Sequence, residues 1–355
     1  MKKSVYTTYQ RLVKNKVSIL FFWPLSFVYY LYLVFRGFLY KSGIKKSQSL
    51  PCQVISIGNL TWGGTGKTPL VEFVVRRLSS KKAVVLSRGY GRRGQNEKIT
   101  LVSDESRILA GAREAGDEPY LLAKKLPGRP VVVGSNRFNS GKWAINRFQP
   151  GTIILDDGFQ HRSLKRNIDL VVIDSTNPFG NRWLIPAGSL REPLGQLKRA
   201  QIIFLSKVNE DKNQITGLKK EIRRFNAHAP IVETVFEPVE FHLWPGGETK
   251  AKEFIREKAI FMLAGINSPS SFRYSLLQLG GDLVGEAVYP DHYYYRPGDL
   301  SAVINSARLK KAEFIVTTEK DEVKLPKVLV KFPILILKVK LKVVHGEEVL
   351  DAWLS

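Results

Sequence analysis

The sequence predicts an α/β protein with a mostly parallel, doubly wound sheet, a smaller C-terminal α/β lobe and an N-terminal membrane-associated helix. Short β-branched apolar runs alternate with helical stretches over residues 53–207, as buried parallel strands joined by helical crossovers do. A second, shorter group of apolar runs follows residue 250. An apolar stretch of 19 residues precedes both groups. We therefore divide the chain into residues 1–47, 48–236 and 237–355.

The N-terminal apolar stretch covers residues 17–35, "VSILFFWPLSFVYYLYLVF". It is close to the ~20 residues that a transmembrane helix needs, but Pro24 should break a helix early. Its aromatic residues prefer the headgroup boundary, and basic residues flank both ends, so no orientation is favoured. We expect a hairpin or a helix embedded in one leaflet, with the basic flanks on anionic headgroups. A single spanning helix and a buried core helix are the alternatives.

Six apolar runs in the middle of the chain predict the strands of the main sheet. The first crossover helix is predicted over residues 68–78, "TPLVEFVVRRL", with Pro69 at a tolerated early position and one apolar face. The predicted strands are 53–59, 83–87, 130–134, 152–157, 169–175 and 201–207.

The C-terminal group begins after a Pro/Gly-rich stretch, residues 236–250, which is typical of a domain boundary. Its apolar runs are 259–266, 313–321 and 333–344. The last run alternates apolar residues with lysines, which predicts a half-exposed edge strand.

Composition restricts the partners and the compartment. The chain has 55 Lys+Arg against 32 Asp+Glu, a formal charge of +23, which indicates nucleic acid, an acidic membrane surface or phosphorylated substrates. The single cysteine, Cys52, excludes an internal disulfide framework and fits a reducing compartment.

Residues 59–69, "NLTWGGTGKTP", follow the first predicted strand and precede the first predicted helix. This is the context of a phosphate-binding loop, although Thr61 stands where the usual pattern has its first glycine. Glycine N–H groups and the helix N-terminus would bind phosphate oxygens, Lys67 would reach the β/γ-phosphates, and the Thr68 hydroxyl would bind Mg²⁺. A glycine-rich turn with a chance Gly-Lys-Thr is the alternative. The expected nucleotide contacts are Thr61, Trp62, Gly63, Gly64, Thr65, Gly66, Lys67 and Thr68.

A second motif, "TIILDDGFQHRSL", places Asp156 and Asp157 at the end of a predicted strand. Such carboxylates hold the metal of a nucleotide site, one directly and one through water. His161 and Arg162 follow in the turn, where they would contact phosphate or sugar, or be structural.

Four further stretches hold polar residues in turns. "AGDEPYLLAKKL" opens with Asp117 and Glu118 ahead of a helical run, and spacing alone favours helix capping for them. "SRGYGRRG" (87–94) and "IPAGSLREPL" (185–194) carry arginines suited to anions. "PDHYYYRPGDL" (290–300) adds an Asp-His pair among aromatic residues.

Together these strings resemble the tetraacyldisaccharide 4'-kinase family of lipid A biosynthesis. The resemblance is carried, in order, by "GNLTWGGTGKTP", "SRGYGR", "GDEP", "LDDGFQHRSL", "PAGSLREP", "DHYYY" and "TTEKDEVKL", over about residues 50–325. The phosphate loop of this family also lacks the first glycine, so Thr61 supports the match.

The resemblance implies a P-loop NTPase core and a reaction. ATP, with Mg²⁺, would give its γ-phosphoryl group to the 4'-hydroxyl of a tetraacyldisaccharide 1-phosphate, the lipid A disaccharide monophosphate. The product would be the 1,4'-bisphosphate. The enzyme would act at the cytoplasmic face of the bacterial inner membrane, on an anionic phospholipid surface.

The resemblance also implies residue roles. Asp117 becomes the candidate base, with His292 as its partner, instead of a helix cap; Lys67 is the third catalytic residue. The implied metal ligands are Thr68, Glu118, Asp156 and Asp157. The implied substrate contacts are Arg88, Tyr90, Arg137, Gln160 and Arg191. The string "TTEKD" supplies further nucleotide-binding candidates, Glu319, Lys320 and Asp321.

Two other functions compete with this one. A membrane-associated P-loop ATPase that acts as a switch would account for the phosphate loop and the apolar segment, but would leave Asp117, His292 and the arginine loops without a role. A nucleic-acid-binding protein is suggested by charge alone, and no recognised binding motif supports it, so we expect no nucleic acid partner.

Overall fold

The structure is a computed structural model that describes residues 16–78, 82–90, 99–329 and 331–354. The chain forms two compact units. Among the described residues, the smaller unit is Phe236–Lys340, and the larger one contains residues 16–235 together with those from Leu341 onward.

The apolar N-terminal segment belongs to the larger unit and is one continuous helix, α1 (Lys16–Lys41), with Pro24 inside it. The predictions of a hairpin and of an early break at Pro24 are therefore wrong. Proline removes one backbone hydrogen bond and costs about 3 kcal/mol in a helix interior, a cost that packing elsewhere along the helix can offset. Five side chains at helical spacing form a less exposed stripe, and this buried stripe consists of Phe22, Ser26, Tyr29, Leu33 and Arg36.

Most of the other described side chains of α1 are apolar and exposed to solvent. Leu20, Phe21, Val28 and Phe35 are each at least 60% exposed. Within the described residues, one helix, Ile19–Lys41, is long and apolar enough to cross a membrane by length and composition alone.

The larger unit contains the main sheet, in the order β8-β7-β6-β1-β5-β2-β4-β3. The sequence predicts six of these strands at nearly their observed places, and the pairs among those six are parallel. The mostly parallel α/β fold is thus confirmed. The strands are β1 Gln53–Gly58, β2 Ala83–Ser87, β3 Thr100–Ser103, β4 Val131–Val133, β5 Thr152–Asp156, β6 Ile168–Asp174, β7 Ile202–Ser206 and β8 Ile231–Trp244.

Helices connect these strands, and the first of them, α2 (Lys67–Arg77), packs on β1 and β5 as its apolar face predicts. The others are α3 Ala112–Ala115, α4 Asp117–Lys125, α5 Arg137–Phe148 and α6 Ile215–Phe225, with 3₁₀ turns at Leu194–Arg199 and Lys212–Gln214. β3 is an addition that the sequence analysis missed, and it pairs antiparallel with β4.

The strand order explains where a ligand site forms. β1 lies between β5 and β6, so the chain leaves β1 toward β2 on one side and reaches β6 and β7 on the other. In open α/β sheets such a switch point opens a crevice at the carboxyl ends of the strands. The segment after β1, residues 59–66, lies at that end.

In the smaller unit the strands follow the order β11-β10-β12-β13-β8, with β9 on β8. The predicted boundary stretch 236–250 is largely strand, because β8 extends to Trp244 before the chain turns. The remaining elements of this unit are β9 Thr249–Ala251, β10 Ala259–Ala264, α7 Pro269–Gln278, β11 Asp282–Val288, α8 Pro297–Leu309, β12 Phe314–Thr318, α9 Glu319–Glu322 and the first part of β13 Ile334–His345, with a 3₁₀ turn at Lys252–Ile255. The end of β13 and helix α10 (Glu348–Leu354) belong to the larger unit.

The prediction that the lysine-rich run 333–344 is an edge strand is wrong, because β13 lies between β12 and β8. Its lysines alternate because one face of the strand is solvated. Lys338 and Lys340 are 3.3 Å from carboxylate oxygens of Glu240 and Glu237 on β8, which compensates their charge within the sheet.

Candidate active site

The phosphate-binding turn joins β1 to α2 with the backbone that the sequence predicts. Gly63 and Gly66 have φ of 135° and 92°, a region that glycine reaches without strain. Gly66 is also the N-cap of α2, so the helix N-terminus and its free N–H groups face the turn. Thr68, the predicted metal-binding hydroxyl, is the second residue of α2.

The other predicted nucleotide contacts lie in the same turn. Thr61 is buried and forms a backbone bridge with Leu190. Trp62 is 46% exposed, and its backbone N–H donates to the Ser189 carbonyl at 2.7 Å. Thr65 is buried, and its carbonyl accepts a hydrogen bond from the Ser206 hydroxyl at the end of β7. Gly64 lies between them. The loop is thus held by two neighbouring segments.

Asn59 organises the turn from inside, and the sequence analysis did not assign it. Its side chain is fully buried. Its Nδ2 donates to the Thr61 carbonyl at 2.7 Å and to the Thr65 hydroxyl at 3.0 Å, while its Oδ1 accepts from Lys67 Nζ at 3.2 Å and Arg191 Nη1 at 3.3 Å. One amide therefore fixes both the loop and the two cations beside it.

Asp157 is the carboxylate that receives these cations. Arg191 binds it through two hydrogen bonds, Nη1 to Oδ1 at 2.7 Å and Nη2 to Oδ2 at 3.0 Å. Lys67 Nζ lies 3.6 Å from its Oδ1. Burial raises the pKa of Asp157, but Lys67 and Arg191 outweigh burial and hold it below the usual range for an aspartate. Asp157 is therefore ionised, and it sits next to the position where phosphates would bind.

Asp156, its neighbour, has the opposite environment. It is 3% exposed at the end of β5, and its Oδ2 accepts a hydrogen bond from Ser87 at 2.9 Å. Burial, followed by the carboxylates of Glu118 and Asp157, raises the pKa of Asp156 to about 6. Three acidic groups thus repel one another here, and a divalent cation would relieve that repulsion.

The donor set fits Mg²⁺. Among the described residues, no group of three His, Cys, Asp or Glu side chains converges into a preformed metal cage. Mg²⁺ does not require one, because it is commonly bound by one or two carboxylates together with water and substrate phosphates.

Asp117 and Glu118 open helix α4, whose N-cap is Gly116. Asp117 is 2% exposed, and its Oδ1 accepts the Glu118 N–H at 3.1 Å. Gly116 has φ of 98°, and a Cβ there would lie 3.0 Å from the Tyr90 carbonyl. The turn before Asp117 is therefore packed against the segment after β2.

That segment places Arg88 and Tyr90 with exposed side chains, 61% exposed for Tyr90. The rest of the arginine loop, residues 91–94, lies outside the described residues. Arg137, at the start of α5, is instead 3% exposed, and burial lowers its pKa to about 10. Its Nη1 donates to the Gly134 and Ser135 carbonyls, but its buried Nε has no hydrogen-bond partner. A buried N–H donor without a partner can form a charge-assisted hydrogen bond with an anion that binds there.

The turn after Asp157 reaches back to the phosphate loop. Gln160 Nε2 donates to the Asn59 carbonyl at 2.8 Å, and its buried Oε1 has no partner. Burial, followed by nearby arginines that include Arg137, lowers the pKa of His161 to about 4, so this imidazole is neutral at pH 7. Its Nε2 lies 3.0 Å from the Ser163 hydroxyl, which supports a structural role.

The remaining predicted residues belong to the smaller unit. His292 has φ of 60°, and its Nε2 lies 3.7 Å from Asp291 Oδ2. Asp291 also pairs with Lys320 at 3.1 Å. Burial raises the pKa of Asp291, while Lys320 and then His292 lower it by more, so that the pKa lies below its usual value.

Of the three residues predicted from "TTEKD", Asp321 is fully enclosed. Its Oδ1 accepts from the Gly265 N–H and the Tyr295 hydroxyl, each at 3.0 Å, and its Oδ2 accepts from the Thr318 hydroxyl at 2.9 Å. Lys324 lies 3.0 Å away. The partly exposed residues of this string are Thr318, Glu319 and Lys320.

Comparison with known proteins gives a consistent result along the whole chain. The family model for tetraacyldisaccharide-1-P 4'-kinase matches residues 18–355. The tetraacyldisaccharide 4'-kinase of Halothermothrix orenii is 37% identical over 325 residues, which are 88% of this chain and 85% of the relative. That of Syntrophus aciditrophicus is 39% identical over 328 residues, 90% of this chain and 87% of the relative.

A solved structure agrees with the sequence relatives. The crystal structure of LpxK from Aquifex aeolicus in complex with ATP has a TM-score of 0.75 and 31% identity to this chain. The similarity covers 94% of this chain and 97% of that one.

Proposed function

The chain belongs to the tetraacyldisaccharide-1-P 4'-kinase family, and from that premise we propose how its residues carry out the reaction. The enzyme transfers the γ-phosphoryl group of ATP to the 4'-hydroxyl of a tetraacyldisaccharide 1-phosphate in lipid A biosynthesis. The assignment of individual residues, the metal and the membrane surface is our proposal.

The observation that carries the proposal is the convergence of Lys67 and Arg191 on Asp157 and Asn59, beside the N-terminus of α2. Phosphoryl transfer needs little covalent chemistry from a protein; it needs positioned positive charge around the transferred group. Lys67, Arg191 and the N–H groups of the turn supply that charge. We assign the triphosphate to residues 61–68, with Lys67 on the β/γ-phosphates.

Mg²⁺ would be held by the Thr68 hydroxyl and by carboxylates from Asp156, Asp157 and Glu118. The raised pKa of Asp156 supports this, since it results from burial and then from the carboxylates of Glu118 and Asp157, whose charge a cation would neutralise. When bound, the ion neutralises phosphate charge as bonds change at the phosphorus. The protein residues keep its ligands ionised: Lys67 and Arg191 do so for Asp157.

Asp117 is the proposed base, accepting the proton of the 4'-hydroxyl as the oxygen attacks the γ-phosphorus. Its carboxylate is buried, and its Oδ1 accepts a hydrogen bond from the Glu118 N–H, which helps to orient it. The resemblance assigns His292 as its partner, and this stays a proposal.

The disaccharide and its 1-phosphate would be held by Arg88, Tyr90, Arg137 and Gln160. Arg137 Nε and Gln160 Oε1 are buried polar atoms without partners in the structure, which is the condition expected of groups that bind a ligand. Glu319 and Lys320 remain the candidates for contacts to the nucleotide from the smaller unit, with Asp321 holding their turn in place.

Helix α1 would lie at the cytoplasmic face of the inner membrane, its exposed apolar side in one leaflet. A spanning helix would place residues 26–36 in hydrocarbon, yet the polar side chains of this segment bind loops of the larger unit. A helix in the membrane interface would place its exposed apolar side in the lipid and keep its buried stripe on the protein, which accounts for both faces of α1. A multiply acylated acceptor stays in the bilayer, so the kinase has to approach the leaflet.

The test is phosphate transfer from Mg-ATP to purified tetraacyldisaccharide 1-phosphate in mixed micelles. We expect lipid-dependent transfer that requires Mg²⁺ and is lost in Lys67→Ala. ATP hydrolysis that is independent of the lipid, with no phosphorylated lipid, would instead identify a switch ATPase.

A further inference from the structure

Helix α1 is attached to the larger unit by polar bonds as well as apolar packing. Ser26, in the buried stripe, is 4% exposed. Its hydroxyl donates to the Leu184 carbonyl at 2.9 Å and accepts the Ala187 N–H at 2.9 Å. A serine in the middle of an apolar helix thus binds both ends of a turn in the loop 184–191.

Two further side chains of the buried stripe bind backbone atoms of residues in the candidate site. The Tyr29 hydroxyl donates to the Arg191 carbonyl at 3.0 Å. Arg36 Nη2 donates to the Gln160 carbonyl at 2.7 Å. All three polar side chains of the stripe therefore form hydrogen bonds with the chain segments that contain Arg191 and Gln160.

These segments are in direct contact with the phosphate-binding turn. On the loop 184–191, the Arg191 N–H donates to the Leu60 carbonyl at 2.7 Å and the Ser189 carbonyl accepts the Trp62 N–H at 2.7 Å. Gln160 binds the Asn59 carbonyl. One layer of backbone therefore separates the helix from the turn that would bind ATP.

Attachment to lipid does not explain these bonds. An interfacial helix binds a leaflet through its apolar area and basic flanks; the exposed apolar side of α1 provides the first, and the exposed Lys41, Lys45 and Lys46 at its C-terminal end provide the second. Polar groups buried on the other side are useful only where they fix their partners. Here the partners are the carbonyls of Arg191 and Gln160 and both ends of the turn 184–187.

We propose that helix α1 has a second role as part of the active-site scaffold, in which Ser26 and Tyr29 are positioning residues that set Arg191 against the phosphate-binding turn. The proposal rests on the proposed function in one respect, the contact of Arg191 with the reacting phosphates. The helix that meets the lipid surface then also fixes the geometry of phosphoryl transfer. In such reactions, displacing a positioning group by about 1 Å can lower the rate about 100-fold.

The test compares two tyrosines on one helix in the full-length protein. Tyr29→Phe removes the hydroxyl bound to Arg191, whereas Tyr32→Phe removes a hydroxyl from a residue that is 54% exposed and stacks on Tyr29. Kinase activity is measured over a range of tetraacyldisaccharide 1-phosphate concentrations in mixed micelles, up to saturation, so that kcat and the KM for the lipid are separated. Binding is measured on vesicles of phosphatidylethanolamine and phosphatidylglycerol.

Tyr29→Phe should lower kcat about tenfold, the effect of one lost hydrogen bond transmitted to the transition state. Its vesicle binding should equal that of the wild type, and Tyr32→Phe should be unchanged in both measurements. Equal kcat for the two variants would overturn the proposal, as would a loss in Tyr29→Phe that appears only in vesicle binding or in KM for the lipid.

Ser26 gives a second, independent comparison. Ser26→Ala should lower kcat by a similar factor, and Ser26→Thr, which keeps the hydroxyl, should restore most of it. A Thr variant as slow as the Ala variant would contradict the positioning role. If Ser26→Ala does not fold, the tyrosine pair decides. Failure of the proposed function looks different: the wild type itself would then show no lipid phosphorylation.

Discussion

Replacing Asn59 by alanine tests whether the buried amide aligns the site. The substitution removes four hydrogen bonds of 2.7–3.3 Å, two to neutral groups and two to the cations Lys67 and Arg191. The two neutral bonds contribute about 1 kcal/mol each, so the free energy of unfolding should fall by about 2 kcal/mol. Lys67 and Arg191 keep Asp157 as a partner but lose their alignment.

Charged hydrogen bonds contribute about 1.5–3 kcal/mol, so we expect a loss of about 2–3 kcal/mol in transition-state stabilisation. This corresponds to a decrease of about 30- to 150-fold in kcat/KM for ATP. The assay is steady-state transfer from Mg-ATP to the lipid acceptor, with urea unfolding of the same samples.

Asn226 supplies a matched control in the same unit. It is 8% exposed and also makes four hydrogen bonds, to the Leu197 and Ala200 carbonyls and from the His228 and Ala229 N–H groups. At about 1 kcal/mol for each neutral bond, Asn226→Ala should lose about 4 kcal/mol in the free energy of unfolding, more than Asn59→Ala, while kcat/KM stays within about twofold. If both alanine variants lose stability and neither loses activity, Asn59 is only a structural residue and the reasoning fails.

Three further predictions concern other residues of the site. Asp117→Ala should abolish turnover while ATP affinity, measured by equilibrium dialysis, is retained; loss of ATP binding would instead indicate a cap or metal ligand. Arg137→Lys keeps a charge but lacks the planar fork, so KM for the lipid should rise about tenfold with KM for ATP unchanged, and an unchanged lipid KM would refute the anion site. The pKa of His161 is lowered from 6.5 to about 4, so between these values the unfolded chain binds more protons than the folded one. The stability that the neutral imidazole contributes should therefore be fully present above pH 6.5. The free energy of unfolding, measured with urea, should fall by up to about 3 kcal/mol as the pH drops to 4, and this pH dependence should be weaker in His161→Gln.

Much of the fold could be predicted because its signals are local. The runs 53–59 and 83–87 are continuous β-branched segments, and the strands are Gln53–Gly58 and Ala83–Ser87. Glycines and Gly-Lys-Thr between a strand and a helix predicted the phosphate-binding turn, and the positive φ of Gly63 and Gly66 agrees. Periodicity and turn chemistry operate within a few residues, so the sequence alone contains them.

The predictions that failed depended on surroundings. Pro24 disfavours a helix, yet α1 continues through it, because the buried stripe packs along the following turns. Alternating lysines suggested an edge strand, but Glu237 and Glu240 on the neighbouring strand compensate them inside a sheet. In both cases a local preference was outweighed by partners that the local pattern does not identify.

By itself the sequence determined the α/β core and the glycine-rich turn after its first strand, and it predicted most, though not all, residues of the candidate site. Only the tertiary structure decided how they are held: Asn59 between Lys67 and Arg191, and Tyr29 on a carbonyl 162 positions away. The reason is physical. A polar side chain can be satisfied by many partners, and which one it binds depends on the backbone that folding brings within about 3 Å of it.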